Sequence, residues 1–256
     1  MKRILTAAAL IPFVVYVVLW ADPLLFLGVL AAAAFLSYRE YDSLAAGYGF
    51  GAPGPLGYLA GVLLLLGLGE AWLVLTATAL AALAWAMRAE PLSQALPRAS
   101  LLLAGVVYIF GCWHAGLLLY EANRHWLLFA LLVSWTGDMG AYYVGRTFGR
   151  HKMAPRVSPN KSWEGAAASV VTSVLLAGAY LAYFARGIPA PRAFAVAVLA
   201  NIAGQIGDLA ESAIKRGAGT KDSGALLPGH GGFLDRVDST LFALPVVWAC
   251  LVRWAG

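Results

Sequence analysis

Charged residues make up only 12% of this 256-residue sequence, against roughly a quarter in a soluble domain of that size. That scarcity excludes a solvated globular surface and puts most of the chain, 61% hydrophobic, in lipid. Cysteine is also scarce. Cys112 and Cys250 stand 138 positions apart within apolar runs, which excludes a close-spaced zinc or redox motif and leaves two small buried hydrophobes. Histidine never clusters, and His114 and His125 read as core or interface residues. There is no HExxH, no GxxxxGK[ST] phosphate loop and no nucleophile elbow with a Ser-His-Asp set. The formal charge of +5 does not imply nucleic acid, because the basic residues fall between apolar runs rather than among aromatics on a soluble face.

What the sequence does contain is a series of apolar runs. A helix needs about 20 mostly apolar residues to cross a bilayer, and on that ruler the chain is an all-α, polytopic membrane protein with nine spans. They run approximately over 4–20, 23–37, 55–68, 71–87, 100–119, 126–145, 164–184, 193–212 and 239–254. Lys2 and Arg3 resemble the start of a signal peptide, but no small-residue cleavage site follows, so a retained first helix is expected. The stretch 56–87 would extend roughly 48 Å as a single helix, which favours two short crossings. No internal repeat separates the halves. Residues 1–125 are expected to supply about five N-terminal spans and 126–256 the catalytic region, within one integrated membrane domain.

Of the 18 Lys and Arg residues, only Arg124, Arg186, Arg192 and Arg253 fall outside the face shared by the N-terminus and the loops around 38–54, 88–99, 146–163 and 213–238. The other 14 place the N-terminus in the cytoplasm and the C-terminus outside. A single crossing at 56–87 would weaken that split to 11 and 7. The inner loops at 146–163 and 213–238 are separated by two crossings and are expected on one face.

The acids are unevenly spread. Asp208, Glu211, Asp222, Asp235 and Asp238 crowd into 31 residues. Asp208, Glu211 and Lys215 share a helix face by spacing, and Asp235 and Asp238 repeat the interval of three. Carboxylates near a low-dielectric boundary repel one another unless compensated. An oxygen-only donor set without Cys or clustered His suits Mg²⁺, which shares its coordination with substrate phosphates. The competing explanation is an interfacial salt-bridge network with Lys215, Arg216, Lys221 and Arg236. The stretch Leu227-Pro228-Gly229-His230-Gly231-Gly232 offers close backbone approach to an anion and, flanked by charge, reads as a phosphate cradle. His230 by itself is equally a structural donor. In the other loop, Ser158-Pro159-Asn160-Lys161-Ser162-Trp163-Glu164 gathers donors just before a helix N-terminus, a favoured place for phosphate. Asp138 is an intramembrane acid that either serves the site or pairs with Arg146.

The segment Ser212 to Asp238, SAIKRGAGTKDSGALLPGHGGFLDRVD, resembles the signature of phosphatidate cytidylyltransferases, also called CDP-diacylglycerol synthases. The likeness extends through Asp138-Met139-Gly140-Ala141-Tyr142 to Gly145-Arg146 and through Ser158 to Gly165, roughly residues 134–240. The first half is similar only in being hydrophobic and multi-spanning. No DxxDG with further spaced aspartates, the mark of phosphatidyl-alcohol transferases, is found.

The resemblance implies transfer of a cytidylyl group from CTP to phosphatidic acid at the cytoplasmic membrane, with release of pyrophosphate. It implies metal binding at Asp208, Asp235 and Asp238, with Mg²⁺ and a second, K⁺ ion, and a homodimer. The nucleophile is already a phosphate anion, so the expected task is positioning and charge neutralisation rather than base catalysis. Asp208 and Asp235 are expected to lead in holding Mg²⁺, with Asp238 and Asp222 as further ligands or groups behind them. Lys161, Lys215, Arg216, Lys221 and Arg236 would clamp phosphates, helped by Ser158 and by Gly229, His230, Gly231 and Gly232. Two other readings stay open: a cytidylyltransferase for another lipid phosphate, ether-linked or polyprenyl, and an ion-coupled transporter.

Overall fold

The computed structural model describes residues 2–51, 54–185, 188–226 and 231–255. In chain order the α-helices are α1 (Lys2–Leu19), α2 (Pro23–Ala45), α3 (Pro55–Leu65), α4 (Ala71–Ala86), α5 (Ala95–Gly105), α6 (Cys112–Ala122), α7 (Arg124–Phe148), α8 (Trp163–Ser173), α9 (Ala179–Phe184), α10 (Ala190–Gly217) and α11 (Asp238–Ala255). Helical turns of wider, π-type pitch join α5 to α6 over Val106–Gly111 and α8 to α9 over Val174–Gly178, so each pair forms one continuous rod. Among the described residues, five rods are long and apolar enough to cross a membrane: Pro23–Phe50, Leu92–Ala122, Arg124–Phe148, Trp163–Phe184 and Ala190–Gly217. The fold is that of a helical integral membrane protein. Its β-structure among the described residues is one antiparallel hairpin, β1 (Lys152–Ala154) with β2 (Ser158–Ser162), inside what the sequence predicts as a loop.

Several helices outrun the apolar stretches that announce them. The second predicted span stops at 37, yet α2 runs to Ala45 and continues as a π-type turn over Ala46–Phe50. Tyr38, Tyr41 and Leu44 explain this, because they recur every third position and all are buried. The polar residues between them ride on the helix instead of ending it. Termination comes at Gly49 and Gly51, whose φ values of 81° and 82° are left-handed.

The chain divides into two compact bodies. The first comprises Met1–Phe26, Ala115–Ala213 and Val237–Gly256. Within it α7 lies along α8 at close range, made possible by small residues on both helices. A Cβ on Gly140 would run into Thr172, and one on Gly165 would stand 3.1 Å from the Ala141 carbonyl oxygen. Such small-residue seams are how helices associate where lipid removes the hydrophobic drive between them. A polar cluster crosses the same body. Asn201 Nδ2 donates to Ser169 Oγ at 2.9 Å and Ser173 Oγ at 2.8 Å, and Gln205 Nε2 donates to Asn201 Oδ1 at 2.6 Å.

The second body comprises Leu27–His114 and Ile214–Arg236. Its core is aromatic. The Tyr38 ring sits 4.8 Å from that of Tyr58 and 4.9 Å from that of Phe110, centroid to centroid. Gly57 and Gly61 of α3 leave the room that Tyr38 and Phe110 fill. Tyr41 Oη donates to the Leu101 carbonyl at 2.8 Å, so α2 is held in rotation as well as position. Tyr48 Oη donates to the Ile214 carbonyl at 2.9 Å, docking the end of that rod on the last turn of α10.

Candidate active site

In the first body, the 146–163 segment folds back on the start of α8. Ser162 Oγ accepts from Gly165 N at 3.2 Å as an N-terminal cap. Glu164, in the first turn, accepts from Arg150 N and His151 N at 3.2 and 3.3 Å and from His151 Nδ1 at 2.6 Å. An acid at this end of a helix also meets the positive pole of the helix dipole. The folded hairpin carries Ser158 half-buried and Lys161 half-buried, and Lys161 Nζ pairs with Asp208 Oδ2. Two sequence-predicted residues from separate segments are thereby brought together. Arg146 engages Tyr142, donating to its hydroxyl at 2.8 Å and lying over its ring. Asp138 is exposed on α7.

Asp238 comes close to α10 for a backbone reason. Gly204 and Gly207 have no side chain, and a Cβ on Gly207 would lie 2.7 Å from the Asp238 carbonyl oxygen. Helix α11 therefore starts against α10, with Asp208, Glu211 and Asp138 within electrostatic reach of Asp238. Glu211 is fully buried and Asp238 is 8% exposed. These donors fit a hard divalent cation in kind, since all are carboxylate oxygens in a setting that rewards added positive charge. Among the described residues no three acids form a ready-made cage, so an ion there would complete its shell from water or other oxygen ligands.

In the second body, Asp235 organises the polar loop that follows α10. Lys215 Nζ donates to its Oδ1, while Oδ2 accepts from Ser223 N at 3.0 Å and Gly232 N at 2.8 Å. Burial by itself pushes the Asp235 carboxyl upward, but the Lys215 bond and the two backbone N–H groups outweigh it and hold it below its ordinary range. Oδ1 keeps a lone pair beyond the Lys215 bond, enough for one metal contact. Gly231, at φ 79°, passes so close that a Cβ there would stand 2.8 Å from Asp235 Oδ2. Lys221, Asp222 and Arg236 are exposed around this loop, and Arg216 is exposed on the last turn of α10. Pro228, Gly229 and His230 lie outside the described residues.

One residue that holds this loop was not foreseen from the sequence. Glu40 of α2 is 8% exposed. It accepts from Ser223 Oγ at 2.7 Å, Phe233 N at 2.9 Å and Leu234 N at 2.8 Å. The signal available was Tyr38 and Tyr41, whose spacing carries the helix past Glu40 and turns an expected loop charge into a buried one.

The chain matches the cytidylyltransferase family over residues 1–254. It is 38% identical over 152 residues to a phosphatidate cytidylyltransferase of Bacillus subtilis, covering 58% of this chain and 56% of that protein. It is 41% identical over 138 residues to the protein of that name from Staphylococcus saprophyticus, covering 53% of each. With the Staphylococcus haemolyticus protein of the same name, identity is 41% over 142 residues, 54% of this chain and 55% of the relative. The matches span about half the length of these relatives. With the family matched along nearly its whole length, the chain belongs to the cytidylyltransferase family.

Proposed function

We propose that the chain transfers a cytidylyl group from CTP to phosphatidic acid, giving CDP-diacylglycerol and pyrophosphate. The observation that carries this reading is the polar segment Ser212 to Asp238, whose residues follow the signature of the phosphatidate cytidylyltransferases. Family membership and relatives bearing that name support it.

The chemistry asks for two anions to meet. The phosphate of the lipid attacks the α-phosphorus of CTP, a P–O bond forms to the lipid phosphate, and the bond to the β,γ-pyrophosphate breaks. No strong base is required, because the attacking oxygen already carries charge. In the first body Asp208 and Asp238 would hold Mg²⁺, and in the second Asp235 would, with Asp222 as a further ligand. An ion bound in either body would neutralise phosphate charge. Lys161, Lys215, Lys221, Arg216 and Arg236 supply ammonium and guanidinium groups for phosphate oxygens. Ser158 and the backbone of Gly231 add neutral donors, Gly229 and His230 belong to the same proposed cradle, and Gly232 contributes by close approach, its N–H being bonded to Asp235. A K⁺ ion beside Mg²⁺ and a homodimer are proposed from the family resemblance.

The topology proposed with this function has nine crossings. It has a cytoplasmic N-terminus, an external C-terminus and chemistry at the cytoplasmic surface of the inner membrane, where CTP arrives from water while acyl chains stay in lipid.

The test is pyrophosphate release by the purified chain in lipid, dependent on CTP, Mg²⁺ and phosphatidic acid. Ether-linked and polyprenyl phosphates serve as rival acceptors. Absence of turnover by folded protein with phosphatidic acid, or a preference for a rival lipid, would overturn the assignment.

A further inference from the structure

The Glu40 carboxylate is buried in the second body, on a helix whose rotation is fixed by Tyr38 and Tyr41. A buried carboxylate is costly unless its lone pairs are used. Here Oε2 accepts from Ser223 Oγ and Leu234 N, and Oε1 accepts from Phe233 N. Two stretches of the polar loop, 223–224 and 232–234, therefore hang on one side chain. The glycines beside it are required by its presence. A Cβ on Gly224 would stand 2.7 Å from Glu40 Oε1, and a Cβ on Gly232 would overlap Glu40 Oε2 and Ser223 Oγ.

We propose that Glu40 is a positioning residue for the polar loop, clamping 223–224 against 232–234. It thereby fixes where Gly231, Gly232 and Asp235 stand relative to Lys215. The contacts join two described stretches of a glycine-rich loop from opposite sides. Asp235 ties Ser223 N to Gly232 N from one side, and Glu40 ties the same two stretches from the other. The Asp235 tie is made within the loop itself, whereas Glu40 comes from far away in the chain, with a separation of 183 from Ser223. Glu40 acts through the loop and is not itself a catalytic residue. Its effect on turnover passes through the loop backbone, and the identity of the substrate affected rests on the cytidylyltransferase reading.

Two variants separate geometry from charge. Glu40→Gln keeps the length but replaces one acceptor oxygen with a donor. Glu40→Asp keeps the charge but is one methylene too short to reach all three donors. The experiment uses the full chain in lipid nanodiscs, with CTP titrations, lipid titrations and hydrogen exchange. Both variants are expected to raise KM for CTP by about tenfold or more, the size of losing a hydrogen bond to a charged group. The KM for phosphatidic acid and most of kcat should be retained. Exchange in peptides covering 221–226 and 231–236 should quicken, while peptides of α7 and α8 stay as in the native chain.

Ser223→Ala removes one of the three donors and keeps the question open to test should Glu40→Gln fail to fold. It should shift both readouts in the same direction by less, and add less to Glu40→Gln than it does alone, because the two share a bond. Glu70→Gln, on an exposed acid that caps α4 without a side-chain bond, is the control. Native KM and native exchange in Glu40→Gln would overturn the proposal. So would full rescue by Glu40→Asp, or a rise in KM with unaltered exchange. If the native chain does not turn over CTP, the functional reading fails, and the exchange arm alone decides Glu40.

Discussion

Lys161 on strand β2 pairs with Asp208 on helix α10, setting an ammonium on a carboxylate proposed for a metal ion. The two side chains are 24% and 32% exposed, and an ion pair so open to water contributes at most about 1 kcal/mol. Lys161→Ala should therefore leave thermal stability nearly unchanged. If Lys161 serves phosphate, KM for CTP should rise by about tenfold. Half-saturating Mg²⁺ should fall, since a competing cation has been removed from Asp208. A marked drop in melting temperature with unchanged KM would make the pair structural instead.

Asp208 and Asp235 are expected to separate in mutagenesis although the sequence ranks them alike. Asp208 is partly open, and its pairing is with Lys161. Asp235 has a side chain only 6% exposed and also supports two backbone N–H groups of its loop. Asp208→Asn should abolish most turnover with a stability change of about 1 kcal/mol or less. Asp235→Ala should cost about 3 kcal/mol, as removing one partner of a buried pair does. Its loss of activity would then mix metal binding with loop collapse. Thermal unfolding beside turnover distinguishes the two, and equal destabilisation by both would refute the distinction.

The same loop should carry a pH signature. Asp235 is held below its ordinary value of 3.8, burial working upward and the Lys215, Gly232 and Ser223 bonds working downward more strongly. A carboxylate with a depressed folded-state value contributes stability that is fully present above the ordinary value and lost as pH falls through the depressed one. With Mg²⁺ chelated, protection of peptides covering 221–226 and 231–236 should be flat from neutral pH down to about 5 and should decline only below the usual carboxylate range near 3.9. Lys215→Met removes the strongest downward influence, so decline should begin at higher pH. A native profile in that variant would remove Lys215 as the cause.

The long rods were legible because length and hydropathy are properties of a contiguous stretch. So was the start of α8, expected at 164 where an apolar run begins and found at Trp163, although the Ser162 cap was not foreseen. The gathering of donors around Ser158 to Glu164 was legible too, but its form was not. The hairpin joins Lys152 to Ser162 across ten positions, and nothing in SPNKS alternates in the way a half-buried strand does. Glu40 was hidden for a deeper reason. Its partners Ser223, Phe233 and Leu234 are nearly two hundred residues away, and a polar YREYD run reads as a membrane-edge loop until Tyr38 and Tyr41 are seen to be buried. The pairing of Lys161 with Asp208 was likewise unwritten, since one sequence lists charges without saying which of them meet.

The polar cluster in the first body should behave as structure rather than chemistry. Asn201 bonds Ser169, Ser173 and Gln205, and interhelical bonds of this type inside membranes average about 0.6 kcal/mol and reach about 1.7. Asn201→Leu should cost about 2 kcal/mol by unfolding in mild detergent and leave KM for CTP native. A selective change in KM would bring this cluster into the site.

Glycine substitutions offer the sharpest contrast, because a methyl group adds almost nothing but volume. Gly232 is packed against Ser223 Oγ, Glu40 Oε2 and Gly224 N, and a Cβ there would overlap the first two. Neither oxygen can retreat without breaking a bond, since Ser223 Oγ donates to Glu40 and Glu40 Oε2 also accepts from Leu234 N. Gly232→Ala should therefore cost at least the 1–3 kcal/mol or so of an overpacked core and raise KM for CTP in parallel. Gly28 lies in α2 with no atom within 4 Å of its missing Cβ. Gly28→Ala should be neutral or stabilise by up to about 1 kcal/mol through helix propensity. If Gly232→Ala were as mild as Gly28→Ala in both melting temperature and KM, the loop would not be clamped as its contacts indicate, and the positioning role of Glu40 would lose its steric support.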